Sequence, residues 1–160
     1  VVRMIVQGLT IDPSSNSPIL ILKDPEGERN LPIWIGLLEA TAIASELEKV
    51  EFSRPMTHDL LRNIINGLGY SVGKITINDL KDNTFYAKIE LMGPEGEVSI
   101  DSRPSDAIAL ALRAEAPIFV AKAVLDQSGI SGQDEDQRSD EKWKDILEEM
   151  TPEDFGKYKM

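Results

Sequence analysis

In "TFYAKIEL", Phe85, Ala87, Ile89 and Leu91 alternate with Tyr86, Lys88 and Glu90. A period of two puts one face of a strand in a core and the other toward water or a partner. Comparable runs predict strands near 1–11, 17–23, 30–35, 71–79, 84–92 and 96–101, with a short one in "PIFVA". Between them the spacing turns helical, near 37–49, from Thr57 through "THDLLRNIINGLG", and over about 104–115. Thr57 is expected to cap its helix and Gly67 or Gly69 to end it.

The pattern also echoes itself. "PEGE" occurs at 25–28 and again at 94–97, each time between apolar runs, and each copy reads as a hairpin loop. A short strand and an Ala-rich helix follow each turn. At an offset of 67, Ile33 meets Ile100, Glu39 meets Asp106, Ala40 meets Ala107 and Glu48 meets Glu115. The expected class is therefore α+β, with duplicated strand–strand–strand–helix units forming a mixed or antiparallel sheet packed by Ala-rich helices. Chance likeness between two Ala-rich helices is the alternative. The expected organisation is one domain over 1–125, an acidic linker over 126–140 and a helical tail over 141–160. In the tail Trp143, Ile146, Leu147 and Met150 share one helical face, and Thr151 with Pro152 gives a second helix start.

The chemistry is concentrated at helix starts. In "IDSRPSDAIALALRAEAP", Pro104 suits a first turn, Asp101 or Ser102 can cap, and Asp106 sits where the helix dipole favours a carboxylate. Arg103 is the exception, because a cation at the positive end of a helix needs a carboxylate or an external anion. A buried structural pair with Asp101 or Asp106 is the plainer expectation. In "SRPMTHDLL", Arg54 and Pro55 repeat that Arg-Pro pairing, and His58, the only histidine, precedes Asp59. A lone histidine early in a helix is ordinarily a surface residue, with acid/base work the sharper alternative. Glu39 has dipole compensation as its plain role, and Asp79 and Asp82 have turn chemistry.

Composition then narrows the classes. With no cysteine among 160 residues, disulfides, thiolate metal sites and cysteine nucleophiles are excluded, which fits a reducing compartment. No apolar run reaches the ~18–20 residues of a membrane span, so a soluble, cytoplasmic protein without membrane attachment is expected. The chain opens on Val1, so residues of the native product are expected to precede it. The formal charge of −11 opposes nucleic acid at long range. Its placement is uneven: from Asp126 onward 11 acids face 5 bases. P-loop, dinucleotide, zinc-type and nucleophile-elbow motifs are all missing. One histidine and no thiol leave only an oxygen-rich metal site chemically open, for Mg²⁺ or Mn²⁺.

"LPIWIGLLEATAIA", "RPMTHDLL", "LKDNTFYAKIEL" and "IDSRPSDAIALALR", in this order and spacing, resemble the bifunctional nuclease domain family over about residues 1–125. The resemblance implies a nuclease acting on DNA and RNA, an activity attributed chiefly to plant members with a role in defence regulation. The plant C-terminal interaction motif is not seen here, where an acidic helical tail takes its place. Polar candidates at the matching positions are Glu39, Arg54, Thr57, His58, Asp59, Asp82, Asp101, Arg103, Ser105 and Asp106. The working expectation is that the two halves pack about a pseudo-twofold and bring the Ala-rich helix starts together. Asp101, Asp106 and Glu39 would then hold Mg²⁺ or Mn²⁺, His58, Asp59, Asp101, Arg103 and Asp106 would form the catalytic group, and Arg54 and Arg103 would bind phosphate. The alternative is a non-catalytic regulatory or protein-binding module, homo-oligomeric as a dimer, in which the same residues are caps and ion pairs.

Overall fold

In the computed structural model, which describes residues 1–131, the strands β1 (Val2–Ile11), β2 (Pro18–Lys23) and β3 (Arg29–Trp34) form an antiparallel meander. The helices α1 (Leu37–Leu47) and α2 (Thr57–Gly67) follow. A second antiparallel meander is built from β4 (Ser71–Lys81), β5 (Thr84–Gly93) and β6 (Gly96–Ser102), and leads into α3 (Pro104–Ala114). Three short elements close the described chain, β7 (Ile118–Val120), α4 (Lys122–Ser128) and β8 (Ile130–Ser131). The strands join in one eight-stranded mixed sheet of order β6-β5-β4-β7-β1-β2-β3-β8. Its middle is the parallel pair of β4 with β7, which also pairs antiparallel with the first residues of β1. A strand of three residues thus links the two meanders.

The fold is α+β, as the pattern predicts, and a three-strand meander followed by a helix occurs twice. β7, β8, α2 and α4 stand outside that order. Equivalent positions do not share one environment: Ile33 is buried, whereas Ile100 on the edge strand β6 is half exposed. Asp126, expected to open the linker, lies in α4, and Ile130 and Ser131 pair with β3. The remainder of the expected linker and the whole helical tail lie outside the described residues.

Local chemistry explains the turns. Asp82 and Asn83 both have positive φ and make the two-residue loop between β4 and β5, a hairpin geometry that matches strand twist. Asp79 accepts a hydrogen bond from the Leu80 N–H, so both acids of this stretch serve the hairpin. Gly93 precedes the second "PEGE" turn because the Tyr70 ring lies where its Cβ would be. On β5, Ala87, Ile89 and Leu91 are buried as the alternation requires. α2 begins one residue earlier than expected: its cap is Met56, whose N–H donates to Asp59 Oδ2 at 3.0 Å. Thr57 is the first helical residue.

Burial is densest where α1 and α3 meet each other and the sheet. Ala40, Ile43 and Ala44 of α1 and Ala107, Ile108, Ala109, Leu110 and Ala111 of α3 belong to one core with Leu20, Leu22, Ile75 and Ile77. Alanine keeps these helices close, while each fully buried Leu or Ile adds about 1.5–3 kcal/mol. The closeness leaves Arg113 inside, with 3% of its side chain exposed. Its guanidinium donates from Nε to Asp59 Oδ1 of α2 at 3.0 Å, from Nη1 to the Ala109 carbonyl at 2.9 Å, and from Nη2 to the Ala42 carbonyl of α1 at 2.9 Å. One fork therefore ties three helices.

Removing one partner of a buried pair strands the other, so Arg113→Ala is expected to lower unfolding free energy by about 3–5 kcal/mol. Arg113→Lys should recover little of it, because an ammonium cannot reproduce the planar fork. Urea unfolding of the three proteins, followed by circular dichroism, measures both.

Candidate functional site at the joined helix starts

The starts of α1 and α3 lie side by side, and one arginine spans them. Arg103 caps α3 and Pro104 occupies its first turn, while Gly36 caps α1 at the equivalent place in the repeated order. Arg103 donates from Nε to Asp106 Oδ2 at 2.9 Å and from Nη1 to Glu39 Oε1 at 3.0 Å. The two carboxylates that match at the offset of 67 thus share the same guanidinium. Gly36 contributes through its missing side chain, since a Cβ there would occupy the position of the Glu39 carboxylate.

The fourth member comes from α2. His58 is buried, and its Nε2 stands 3.0 Å from Asp106 Oδ1. Burial disfavours the charged form of Asp106, but hydrogen bonds from Arg103 and His58 outweigh it and hold the carboxyl below its ordinary range. Arg103 is raised in turn by Asp106 and then by Glu39. An ionised Asp106 can only accept, so Nε2 of His58 donates to it, and of the two neutral tautomers only the one with its lone pair on Nδ1 fits. The side chain of Arg103 is 62% exposed, and of its five N–H groups only two serve the carboxylates. The pair with Asp106 expected for Arg103 is present, but at the surface, and Glu39 joins it. The buried arginine is Arg113.

The remaining candidates divide. Asp59 points to Arg113 and is a helix tie. Asp101 lies on exposed β6, opposite Lys88, and its side chain makes no hydrogen bond or ion pair with a described residue. Ser105 is buried in the first turn of α3, and Asp82 stays in its hairpin. Arg54 lies away from Arg103, in a cleft between the end of α1 and the start of α2. Among the described residues no group of three or more His, Asp or Glu is placed to hold a metal ion. Glu39 and Asp106 offer oxygens to Arg103 instead. This donor arrangement does not fit Mg²⁺ or Mn²⁺ unless the guanidinium is displaced.

The model of the bifunctional nuclease domain matches residues 20–133, from β2 to just past β8. The chain belongs to the bifunctional nuclease domain family. An uncharacterized protein of Mycobacterium tuberculosis (strain CDC 1551 / Oshkosh) is 42% identical over 159 residues, covering 94% of this chain and 95% of that protein. Bifunctional nuclease 2 of Oryza sativa subsp. japonica is 30% identical over 128 residues, or 78% of this chain. Bifunctional nuclease 1 of Arabidopsis thaliana is 27% identical over the same length. In both plant proteins the match covers 39% of their length. Among the described residues no helix is long and apolar enough to cross a membrane.

The lowered pKa of Asp106 links the cluster to stability. A depressed folded-state value adds stability above the ordinary carboxylate pKa of about 3.9, and that gain disappears as pH falls through the lower folded value. Asp106→Asn should therefore lose stability at pH 7 and show a weaker acid dependence below about pH 4 than the unmodified chain. Urea midpoints measured from pH 7 to pH 2 give the comparison.

Proposed function

We propose that this chain hydrolyses phosphodiester bonds in DNA and RNA, with Arg103, Asp106 and His58 as its reacting group. The observation that carries the reading is the Arg103 bridge: an exposed guanidinium, fixed by two carboxylates, beside an imidazole oriented by one of them. A guanidinium held in advance costs little reorganisation when charge builds on phosphate oxygens. Its three uncommitted N–H groups can take a phosphate. The Nδ1 lone pair of His58 would accept the proton of a water attacking phosphorus, and the bond to the leaving oxygen would break as that oxygen gains a proton from solvent. Water is the nucleophile that serves DNA as well as RNA, since DNA has no 2′-hydroxyl. Asp106 orients the imidazole and stabilises its charged form, and Glu39 holds Arg103 from the other side.

A specific observation supports a second reading. Leu60, Leu61 and Ile64 of α2 and its C-cap Leu68 are exposed and fall along one side of that helix, as on a protein-binding surface. In a self-associating, non-catalytic module the cluster would serve only to lock helix starts, which the burial of His58 favours.

The deciding experiment is hydrolysis of single-stranded DNA, duplex DNA and RNA by the purified chain in Mg²⁺, Mn²⁺ or EDTA, beside folded Arg103→Ala and His58→Ala proteins. The nuclease reading expects kcat to fall about 10²–10³-fold without the guanidinium and about 10²–10⁴-fold without the imidazole. Activity that persists in EDTA assigns the chemistry to these side chains. Loss in EDTA would mean that an ion displaces Arg103 from Glu39 and Asp106. Equal traces in all three proteins, or none, favour the binding module, for which light scattering of Ile64→Glu should show a smaller particle than the unmodified chain.

A further inference from the structure

The sheet ends on two unlike edges. β8 pairs only two residues with β3, whereas β6 runs for seven residues beside β5 with no shift of register. Folded proteins protect an open edge with a short strand, a bulge, a proline or an inward-pointing charge, since its unpaired N–H and C=O groups otherwise attract another strand. β6, "GEVSIDS", has none of these. Its register sets Val98 opposite Leu91 and Ile100 opposite Ile89, so both belong to the face that the helices cover, while Glu97 and Asp101 point to the other face. Leu91 and Ile89 are buried, but Val98 and Ile100 are 40% and 43% exposed. α1 packs on β2 and α3 on β4 and β5, which leaves β6 at the margin of the helix layer.

α2 borders the same margin. Its first turn reaches Asp106, just beyond the end of β6, and a Cβ on Gly69, just past the end of α2, would touch the Pro94 ring in the turn that opens β6. The helix thus runs alongside β6 in the opposite direction. Helical spacing puts Leu60, Leu61, Ile64 and the C-cap Leu68 on the flank opposite Asp59, Arg62 and Asn63, which face the end of α1. The apolar flank therefore turns away from α1, toward the β6 side, and all four of its residues are exposed. An apolar face shared by a helix and an open edge strand marks an interaction surface.

We propose that a second copy of this chain covers this face, with β6 pairing antiparallel to the partner's β6 about a twofold axis perpendicular to the sheet at Ile100. A pairing centred on Ser99 would set Glu97 against the partner's Asp101 twice over, a like-charge contact that is destabilising. Centring on Ile100 instead sets Ser99 against the partner's Asp101, Val98 against the partner's Ser102, and Ile100 against its own equivalent. The two sheets then become one, with both sets of helices on the same face. Strands lie about 4.8 Å apart and helices pack about 8–10 Å apart, so α2 helices bordering adjacent β6 strands meet flank to flank over Val98 and Ile100. The chain's own residues 132–160 suit this face less well. They leave from β8 at the far edge, seven strand spacings or about 33 Å away, and their ten acids against five bases would meet Glu95, Glu97 and Asp101. The pairing rests on neither functional reading. It places the two Arg103 residues, each three positions from the axis, roughly 20 Å apart.

The chain contains no cysteine, so one introduced thiol is a unique reporter. Residues directly opposite on antiparallel strands have Cα atoms about 4.5–5.5 Å apart, within the span of a disulfide. Ile100→Cys in the whole chain is therefore expected to form a covalent dimer on mild oxidation, whereas Ile130→Cys, exposed on the opposite edge, is expected to remain a single chain on a non-reducing gel. Light scattering should give the unmodified chain twice its 17.7 kDa, and a folded Ile100→Lys protein the mass of one chain. Ile64→Glu is expected to weaken the dimer as well, because helix and strand share one apolar core. A single-chain mass for the unmodified protein overturns the pairing. So do a dimer that Ile64→Glu separates and Ile100→Lys does not, and equal cross-linking at the two cysteine positions. Should Ile100→Lys not fold by circular dichroism, Val98→Lys takes its place under the same criteria. Every readout is taken without substrate, so the presence or absence of hydrolysis does not bear on it.

Discussion

The fork of Arg113 fixes the helix layer on which every other polar contact depends. α1 and α3 pack through alanine, which gives them closeness but little means of holding a third helix. α2 has only His58 buried among its residues and would be a weakly attached element by apolar contact alone. The guanidinium supplies what the apolar surface does not, with bonds to Asp59 of α2, to the Ala42 carbonyl of α1 and to its own helix at Ala109. A charge buried this deeply survives because each direction of its planar fork meets an acceptor.

The site follows from that constraint. Once Asp59 is held, the preceding residue is placed over the first turn of α3, where His58 meets Asp106. The same turn carries Arg103, whose reach to Glu39 needs α1 to start beside α3. Surface ion pairs of this kind contribute roughly 0–1 kcal/mol each. They are therefore poor supports for the fold and good means of aiming a cation. The division of labour between two arginines of one helix is clear: Arg113 is buried and holds structure, while Arg103 is exposed and available to an anion.

Family membership and geometry bear on function at different levels. Membership in the bifunctional nuclease domain family is shown by the match over residues 20–133. The chain spans about two-fifths of the plant relatives' length, so their names speak for much longer proteins. A polyanion approaching this chain meets net negative charge, against which the exposed Arg103 sets three N–H groups that its two carboxylates leave uncommitted.

The seven strands β1–β7, the helices α1–α3 and the hairpins between them were legible in the sequence, because period-two and helical spacing, turn residues and proline at a helix start act over a few neighbours; α4, part of which reads as linker, was not. Glu39 and Asp106 stood out as matching positions of the echo and were expected to hold a metal ion; that both would instead accept from Arg103 was not legible. Which arginine would be buried was not legible. Arg113 near a helix end reads as dipole compensation, and only its place in an otherwise apolar "ALALRAE" hinted that it lies inside. Tertiary structure also separated Arg54 from Arg103 and left Asp101 apart on β6, although their local motifs look alike. Only the tertiary structure could pair β8 with β3, because two residues carry too little pattern to announce a strand. Local patterning fixes what each segment becomes; which charges meet depends on how α1, α2 and α3 cross, and that is set by packing between residues as many as 71 positions apart.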